Sequence, residues 1–326
     1  MTYPESRRDL RNTNKEIEMK TTDEMIQEGG LWGGMCQGPS TPEQEKDADI
    51  IVFGIPFDGN VSYREGASDG PAAIRESAAP IAPTTEYFED LTGTEVADLG
   101  DFSGDDCETI FADVEDKVAE LVKNKKFFTM IGGDHSVTIP VLRGIDKAID
   151  HEFGIIHIDA HFDLCDELEG NRLSHGCTER RAIELEHVKD IDSLFFIAIR
   201  SCELSELEFM KTNKVNVINA ADYERLGTGK VIEAVKDKMA HFKSIYLTVD
   251  IDCLDPAYAA GTGTPKFGGI TSRQLLDLLR GLFDLPIIGF DVVEVAPKLD
   301  ASLTSVYAGQ RVITECWGHQ VRKTKV

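Results

Sequence analysis

Three stretches of this chain combine side chains that bind cations. In Asp159-Ala160-His161-Phe162-Asp163, extended backbone has a period of two, so Asp159, His161 and Asp163 point to one side and Ala160 and Phe162 to the other. Three such side chains beside a buried strand must be hydrogen-bonded, neutralised or bound to a cation. The alternative, chance polar alternation on a solvated edge, is opposed by the apolar Gly154-Ile155-Ile156 just before. Asp250-Ile251-Asp252-Cys253-Leu254-Asp255-Pro256 again places two acids, Asp250 and Asp252, on one face. Asp255 has the opposite parity and precedes proline, so it reads as a turn-former or hydrogen-bond acceptor rather than a ligand. Gly132-Gly133-Asp134-His135-Ser136 presents His135 after two glycines that permit a tight turn. Alone, His135 would be an ordinary loop histidine.

Together these residues are His135, Asp159, His161, Asp163, Asp250 and Asp252, too many for one tetrahedral site. They suit two divalent ions sharing carboxylates, whose charges balance four acids and between which a water can ionise near neutral pH. Oxygen and imidazole donors without thiolate fit Mn2+ better than a structural Zn2+, with Ni2+, Co2+ and Fe2+ left open. His157 shares the parity of Asp159 but lies inside the strand and reads as a satisfied core histidine, with support of a ligand as the alternative. Glu294 follows the run 287–293, with Phe290 and Val292 as parity partners and Asp291 facing away. It is either a solvated strand end or a carboxylate that grips a substrate cation, ideally a guanidinium in fork geometry. His175, in Ser174-His175-Gly176, is a general acid or proton shuttle, or a plain loop histidine.

Elements must bring these segments together. Short apolar runs occur at 50–55, 96–99, 127–131, 153–158, 194–199, 215–218, 245–249 and 287–293. They are β-branched or aromatic and bounded by Gly, Asp or Pro, as buried strands are. Helical patterns lie between them. Ile110, Phe111, Val114, Val118 and Leu121 share one face over 107–124, Pro71 opens a second helix, and Thr271 with Gln274 forms a capping-box pattern for a third. Alternation of strands and helices predicts a three-layer α/β domain over residues 48–326. Residues 1–47 form an irregular arm, with a helical piece around 15–28. Each cation-binding motif follows a strand, and ligands of open α/β sheets sit beyond the carboxyl ends of strands.

Composition narrows the partners. The 326 residues hold 34 Lys+Arg against 58 Asp+Glu, a formal net charge of -24. Such a chain repels phosphate backbones and anionic membranes, so nucleic acid and membrane are not expected partners; a cationic small molecule is a natural one, although surplus acid more often serves solubility than substrate steering. No window approaches ~18 uninterrupted apolar residues, so no membrane span is expected. Seven scattered cysteines without a CxxC pair, and no secretory apolar segment near Met1, predict reduced thiols in the cytoplasm. Arg7, Arg8 and Arg11 weakly suggest a transit peptide, which Glu5, Asp9, Glu16 and Glu18 oppose.

The three motifs, with Gly261-Thr262-Gly263-Thr264-Pro265, resemble the ureohydrolase family, which includes arginase and agmatinase, over roughly residues 48–318. The resemblance implies a three-layer αβα fold with a mainly parallel eight-stranded sheet and hydrolysis of a guanidino compound to urea and an amine at a di-manganese centre. It also implies that His135 and Asp163 bind one ion, His161 and Asp252 the other, and Asp159 and Asp250 both. His175 resembles the proton shuttle, Glu294 the guanidinium-binding carboxylate, and Thr264 a hydroxyl near the substrate. Gly54-Ile55-Pro56-Phe57-Asp58-Gly59, Ser62-Tyr63-Arg64 and Gly70-Pro71-Ala72-Ala73-Ile74-Arg75 look agmatinase-like. Segment 164–172 lacks the Asn/Ser-rich loop with which arginases hold an α-amino acid and supplies acids instead. Agmatine is therefore the expected substrate, with guanidinobutyrate, another guanidino acid, free guanidine and arginine as alternatives. A metal-binding regulatory subunit without hydrolase activity is the alternative of a different class. The family suggests a homo-oligomer, trimer or hexamer.

Overall fold

Each of the eight apolar runs forms a strand: β1 (Ile50–Ile55), β2 (Val96–Asp101), β3 (Phe127–Gly132), β4 (Gly154–Ile158), β5 (Leu194–Ile199), β6 (Asn216–Asn219), β7 (Ile245–Asp250) and β8 (Ile287–Val293). This computed structural model describes residues 30–36, 40–104 and 106–324. The expected helical piece around 15–28 lies outside the described residues. The strands form one sheet in the order β2-β1-β3-β8-β7-β4-β5-β6. Every pairing is parallel, so the mainly parallel sheet is parallel throughout.

Both faces are covered, which explains why the strands read as unbroken apolar runs. On one face Val52, Ile131, Ile156, Leu247, Val249, Phe290 and Val292 belong to a core completed mainly by four helices. These are α2 (Gly70–Ala78), α8 (Thr228–Met239), α9 (Ser272–Leu282) and α10 (Thr304–Thr324). On the other face Ile51, Phe53, Phe128, Met130, Ile155 and Tyr246 pack with α3 (Cys107–Lys123) and α4 (Thr138–Ala148). The αβα layering is the expected one. The remaining helices are α1 (Pro42–Asp47), α5 (Thr178–Ala182), α6 (Leu204–Thr212) and α7 (Ala220–Leu226).

The local signals act as their chemistry requires. Ile110, Phe111, Val114, Val118 and Leu121 are the buried stripe of α3. At the start of α9, Gln274 N–H donates to Thr271 Oγ1 at 3.1 Å and Thr271 N–H to Gln274 Oε1 at 2.8 Å, a reciprocal cap. Part of the N-terminal segment packs on this core. Trp32 is fully buried, its ring centroid 4.7 Å from that of Trp317 on α10, and its Nε1 donates to Asp98 Oδ2 at 3.2 Å. That Asp98 belongs to a buried ion cluster. Arg75 Nε and Nη2 fork onto its two carboxylate oxygens, each at 2.8 Å, and Arg75 Nη1 reaches Asp101 Oδ1 at 2.7 Å. No described helix is long and apolar enough to cross a membrane.

The strand order decides where chemistry can occur. β7 and β8 insert between β3 and β4, so β3-β8-β7-β4 occupy the middle of the sheet. Their four carboxyl ends carry His135, Glu294, Asp250 with Asp252, and Asp159 with His161 and Asp163. Motifs about a hundred residues apart thereby become neighbours.

Candidate active site

His135 Nδ1 lies 3.0 Å from Asp159 Oδ2, 3.1 Å from Asp163 Oδ2 and 3.3 Å from Asp250 Oδ2. His161 Nδ1 lies 3.4 Å from Asp159 Oδ1 and 3.2 Å from Asp252 Oδ2. All six expected ligands are thus drawn together, and Asp159 offers one oxygen to each imidazole. Main-chain N–H groups hold these carboxylates in place: His161 N–H donates to Asp159 Oδ1 at 2.6 Å, Asp252 N–H to Asp250 Oδ1 at 2.7 Å and Ala160 N–H to Asp252 Oδ1 at 3.1 Å.

The convergence does not come from strand pleating. β4 ends at Ile158 and Asp163 has a φ of 53°, so a turn, not a period of two, gathers the three side chains. Asp252 sits in a single 3-10 turn after β7. Glu294, at φ 63°, also breaks alternation. Instead of facing with Phe290 and Val292, its Oε1 accepts hydrogen bonds from His135 N–H and His175 Nδ1, both at 2.9 Å. Left-handed backbone at non-glycine residues costs about 1–3 kcal/mol and clusters at functional sites.

Proton accounting shows that a cation fits. Thr248 Oγ1 donates its one proton to Asp291 Oδ1 at 2.6 Å, so toward His135 Nε2, 2.8 Å away, it can only accept. His135 therefore carries a proton on Nε2, and Nδ1 is the nitrogen aimed at three carboxylate oxygens. His135 Nδ1 and Asp159 Oδ2 are both buried without a hydrogen-bond partner. With Nδ1 bare, lone pairs would face lone pairs; a proton there relieves the repulsion, and a cation in its place converts the arrangement into coordination. Burial, then the charges of Asp252 and Asp159, pushes the Asp250 carboxyl well above its usual range. Burial is also the first cause of the rise at Asp252. Dications would reverse that trend.

His157 is close enough to be counted with His135 and Asp159 as a donor group. Its nitrogens are engaged, however. Nδ1 meets Glu179 Oε1 at 3.0 Å and Nε2 meets the His161 carbonyl at 3.0 Å. It stacks on His135 with centroids 5.1 Å apart and lies 3.1 Å from Asp159 Oδ2. It braces His135 and Asp159 from behind. Asp255 is the turn-former expected, accepting from Ala257, Gly268 and Gly269 N–H.

Above the cluster opens a cavity of about 470 Å³ bordered by His161, His175 and Thr264. Glu294 Oε2 is buried and unpartnered. It lies near Gly263, whose backbone packs closely on the Arg64 carbonyl, 2.8 Å from where a Cβ would stand. Thr264 Oγ1 lies 3.5 Å from Asp252 Oδ2. His175 Nε2 accepts from Ser62 N–H at 3.1 Å and lies 2.8 Å from Ser62 Oγ. Bare, it takes the amide proton; protonated, it can donate to the hydroxyl. Burial alone would lower the His175 pKa, but the hydrogen bond and charge of Glu294, with Asp163 and Asp134, raise it to about 9. Glu294 stays below its usual range: burial opposes this, and its contacts with His175 prevail.

Sequence reasoning missed the parts that hold the candidate ligands. Thr248 and Asp291 fix the His135 tautomer. Thr248 shares parity with Asp250 in an otherwise apolar strand, and Asp291 is a lone acid inside another, so both carried a readable signal. Asp291 does more than face away, since it also accepts from Tyr246 Oη at 2.9 Å and Thr138 Oγ1 at 2.8 Å. The acids of segment 164–172 do not line the cavity as expected. Cys165 and Leu168 do, while Asp166 is taken by Arg172 at 2.8 Å and Arg181 at 2.7 Å.

Comparison with known proteins agrees with this geometry. Residues 48–318 match the family model described as the Arginase family. The chain belongs to the arginase family. A proclavaminate amidinohydrolase from Streptomyces clavuligerus is 35% identical over 276 residues, 81% of this chain and 86% of its own. An agmatinase from Neisseria meningitidis is 35% identical over 279 residues, covering 83% and 87%. A solved structure of a hypothetical agmatinase from Burkholderia thailandensis aligns with a TM-score of 0.78 at 29% identity, covering 89% of this chain and 91% of that one. Arginase-family proteins are binuclear metal enzymes, and this member is a ureohydrolase whose His/Asp groups could hold metal.

Proposed function

We propose that the enzyme hydrolyses agmatine to putrescine and urea with two Mn2+ ions. In this reading His135 and Asp163 hold one ion, His161 and Asp252 the other, and Asp159 and Asp250 are shared. Bound there, the pair supplies a water acidified to near-neutral pH and positive charge for the developing intermediate. The observation that carries the reading is the buried, unpartnered Oε2 of Glu294, whose Oε1 meets His175 of the cavity wall. A flat guanidinium satisfies it by donating N–H groups, which orients the guanidino carbon over the ligand cluster. His175, charged at neutral pH by its contact with Glu294, gives its proton to the departing amine. Thr264 also borders the cavity that receives the substrate.

A cationic tail is supported by Glu203 and Glu206 in the cavity wall. Glu206 accepts two main-chain N–H groups, from Leu164 at 2.8 Å and Glu203 at 2.7 Å, which leaves exposed Glu203 to meet an ammonium. Arg64 and Lys266 in the same wall favour a second reading, a guanidino acid. The catalytic unit spans residues 48–326 with 1–47 as an appendage, and the enzyme works in the cytoplasm as a homo-oligomer, trimer or hexamer. The seven free thiols support a reducing compartment. Urea release with Mn2+ on agmatine, 4-guanidinobutyrate, arginine and free guanidine is the test. The highest kcat/KM should fall on agmatine. A higher value for guanidinobutyrate moves the assignment to the second reading, and two bound ions without urea from any compound leave a regulatory subunit.

A further inference from the structure

Arg200 comes directly after β5 and has no role in the reaction proposed for this site, yet its guanidinium is spread over the site's frame. Its Nη2 donates to the carbonyls of Asp252 at 2.6 Å, Leu254 at 3.1 Å and Lys266 at 2.8 Å. Nε also donates to Lys266 O at 3.1 Å, and Nη1 to the carbonyls of Ala198 and Cys253, both at 3.3 Å. Every acceptor is a main-chain carbonyl, and among the described residues no carboxylate pairs with this guanidinium. An arginine used only for stability would gain more from an acid. Here its five rigid donors gather carbonyls from three segments that share no secondary structure.

Two of those segments are functional. The turn Asp252–Leu254 carries a proposed ligand, and Lys266 lies in the cavity wall two residues beyond Thr264. The Arg200 main chain reaches a third. The Ala160 carbonyl, between Asp159 and His161, accepts N–H from Arg200 at 2.8 Å and Ser201 at 2.9 Å. Gly269 packs so closely that a Cβ there would lie 2.8 Å from Arg200 Nη2 and 2.4 Å from Asp255 N. An independent feature points the same way. Ala198, buried and two residues earlier, adopts a φ of 71°, and the β5–β6 register slips between Ile197 and Ile199. A left-handed alanine in a bulge is a strained means of aiming the residues next in the chain.

We propose that Arg200 is a positioning residue that ties the His161–Asp252 half of the metal centre to the substrate-cavity wall, so that metal retention and substrate fit depend on one side chain. This rests on the reading of His161 and Asp252 as ligands of one ion.

The test uses full-length Arg200→Lys and Arg200→Gln beside the parent. Metal-free melting is measured first, then Mn2+ uptake by electron paramagnetic resonance, then kcat and KM at saturating Mn2+ on the best guanidino substrate. Both variants should fold, bind the first equivalent of Mn2+ as the parent does and the second about tenfold more weakly, the range expected for a group that orients ligands. The spin-coupled pair signal should give way to the six-line signal of isolated Mn2+. KM should rise more than kcat falls, and lysine, which keeps the charge and some donors, should lie between glutamine and the parent. Two equivalents held with parental affinity and unchanged KM would overturn the proposal. So would failure of both metal-free variants to fold, which would make Arg200 a residue of the fold. A parent that takes up no second ion removes the ligand reading and this proposal with it; a parent that does, beside indistinguishable variants, removes this proposal alone.

Discussion

Two groups of buried charges, at opposite parts of the sheet, show the difference between charge used for folding and charge kept for a ligand. At the outer strand, Arg75 saturates Asp98 and reaches Asp101, while Trp32 and Gly100 N–H complete the acceptors of Asp98. Positive and negative groups are supplied in place, and the cluster is closed. At the central strands, four acids surround two imidazoles, with His135 Nδ1, Asp159 Oδ2 and Glu294 Oε2 unsatisfied. Burying unpaired polar atoms costs about 1–3 kcal/mol each, and this cluster is held in place by main-chain N–H groups, Thr248 and His157. The lesson is that an unfilled, well-braced polar cluster marks a site, whereas a filled one marks a joint.

Four measurements put that contrast at risk. The largest effect is expected from Asp250→Ala, which should lose bound metal and urea production together, down to background; metal analysis alongside the urea assay checks both, and chelation of the parent should reproduce the loss of turnover. Next, Arg75→Met strands Asp98 inside the protein and should lower stability by about 3–5 kcal/mol, read by denaturant melting, while the Mn2+ content of the folded protein stays at the parental value. If metal were lost as readily as stability, the two clusters would not be separable. Glu294→Ala should keep both ions but lower kcat/KM about 10²–10³-fold, as loss of one preorganised electrostatic contact does; full turnover would refute the guanidinium role.

The smallest effect concerns pH. His175 has a pKa raised from 6.5 to about 9. A raised pKa means that the folded protein binds this proton more tightly, so its stabilising contribution is complete below about pH 6.5 and lost as pH rises through about 9. The stability gap between parent and His175→Asn should therefore be widest near pH 6.5 and close above pH 9, alongside a fall in kcat of about a hundredfold. A gap that widens with rising pH would reverse the assigned direction of the Glu294–His175 contact.

Much of this was legible before folding. Eight apolar runs became eight strands because β-branched and aromatic residues between turn-formers leave little alternative, and Thr271 and Gln274 capped α9 because that cap needs only four consecutive residues. The six candidate ligands were recognisable by type and spacing, but the reason given for their convergence was incomplete. Period two ended with the strands, and left-handed backbone at Asp163 and Glu294 did the aiming. The acids at 166–169 misled for a related reason: a one-dimensional reading cannot see that Arg172 and Arg181 claim Asp166.

The amino-acid order alone settled residue chemistry and local geometry: which side chains can ligate, which segments extend or coil, and which face of each helix is apolar. These follow from side-chain type and short-range sterics. The three-dimensional structure decided pairing at a distance. Insertion of β7 and β8 between β3 and β4 set Asp250 and Asp252 beside His135 and Asp159. It also put Asp291 behind Thr248, Glu179 behind His157 and Arg200 beneath two functional loops. Those partners lie tens to more than a hundred residues apart, and no local rule specifies them, because long-range contacts are selected by the packing of the whole chain.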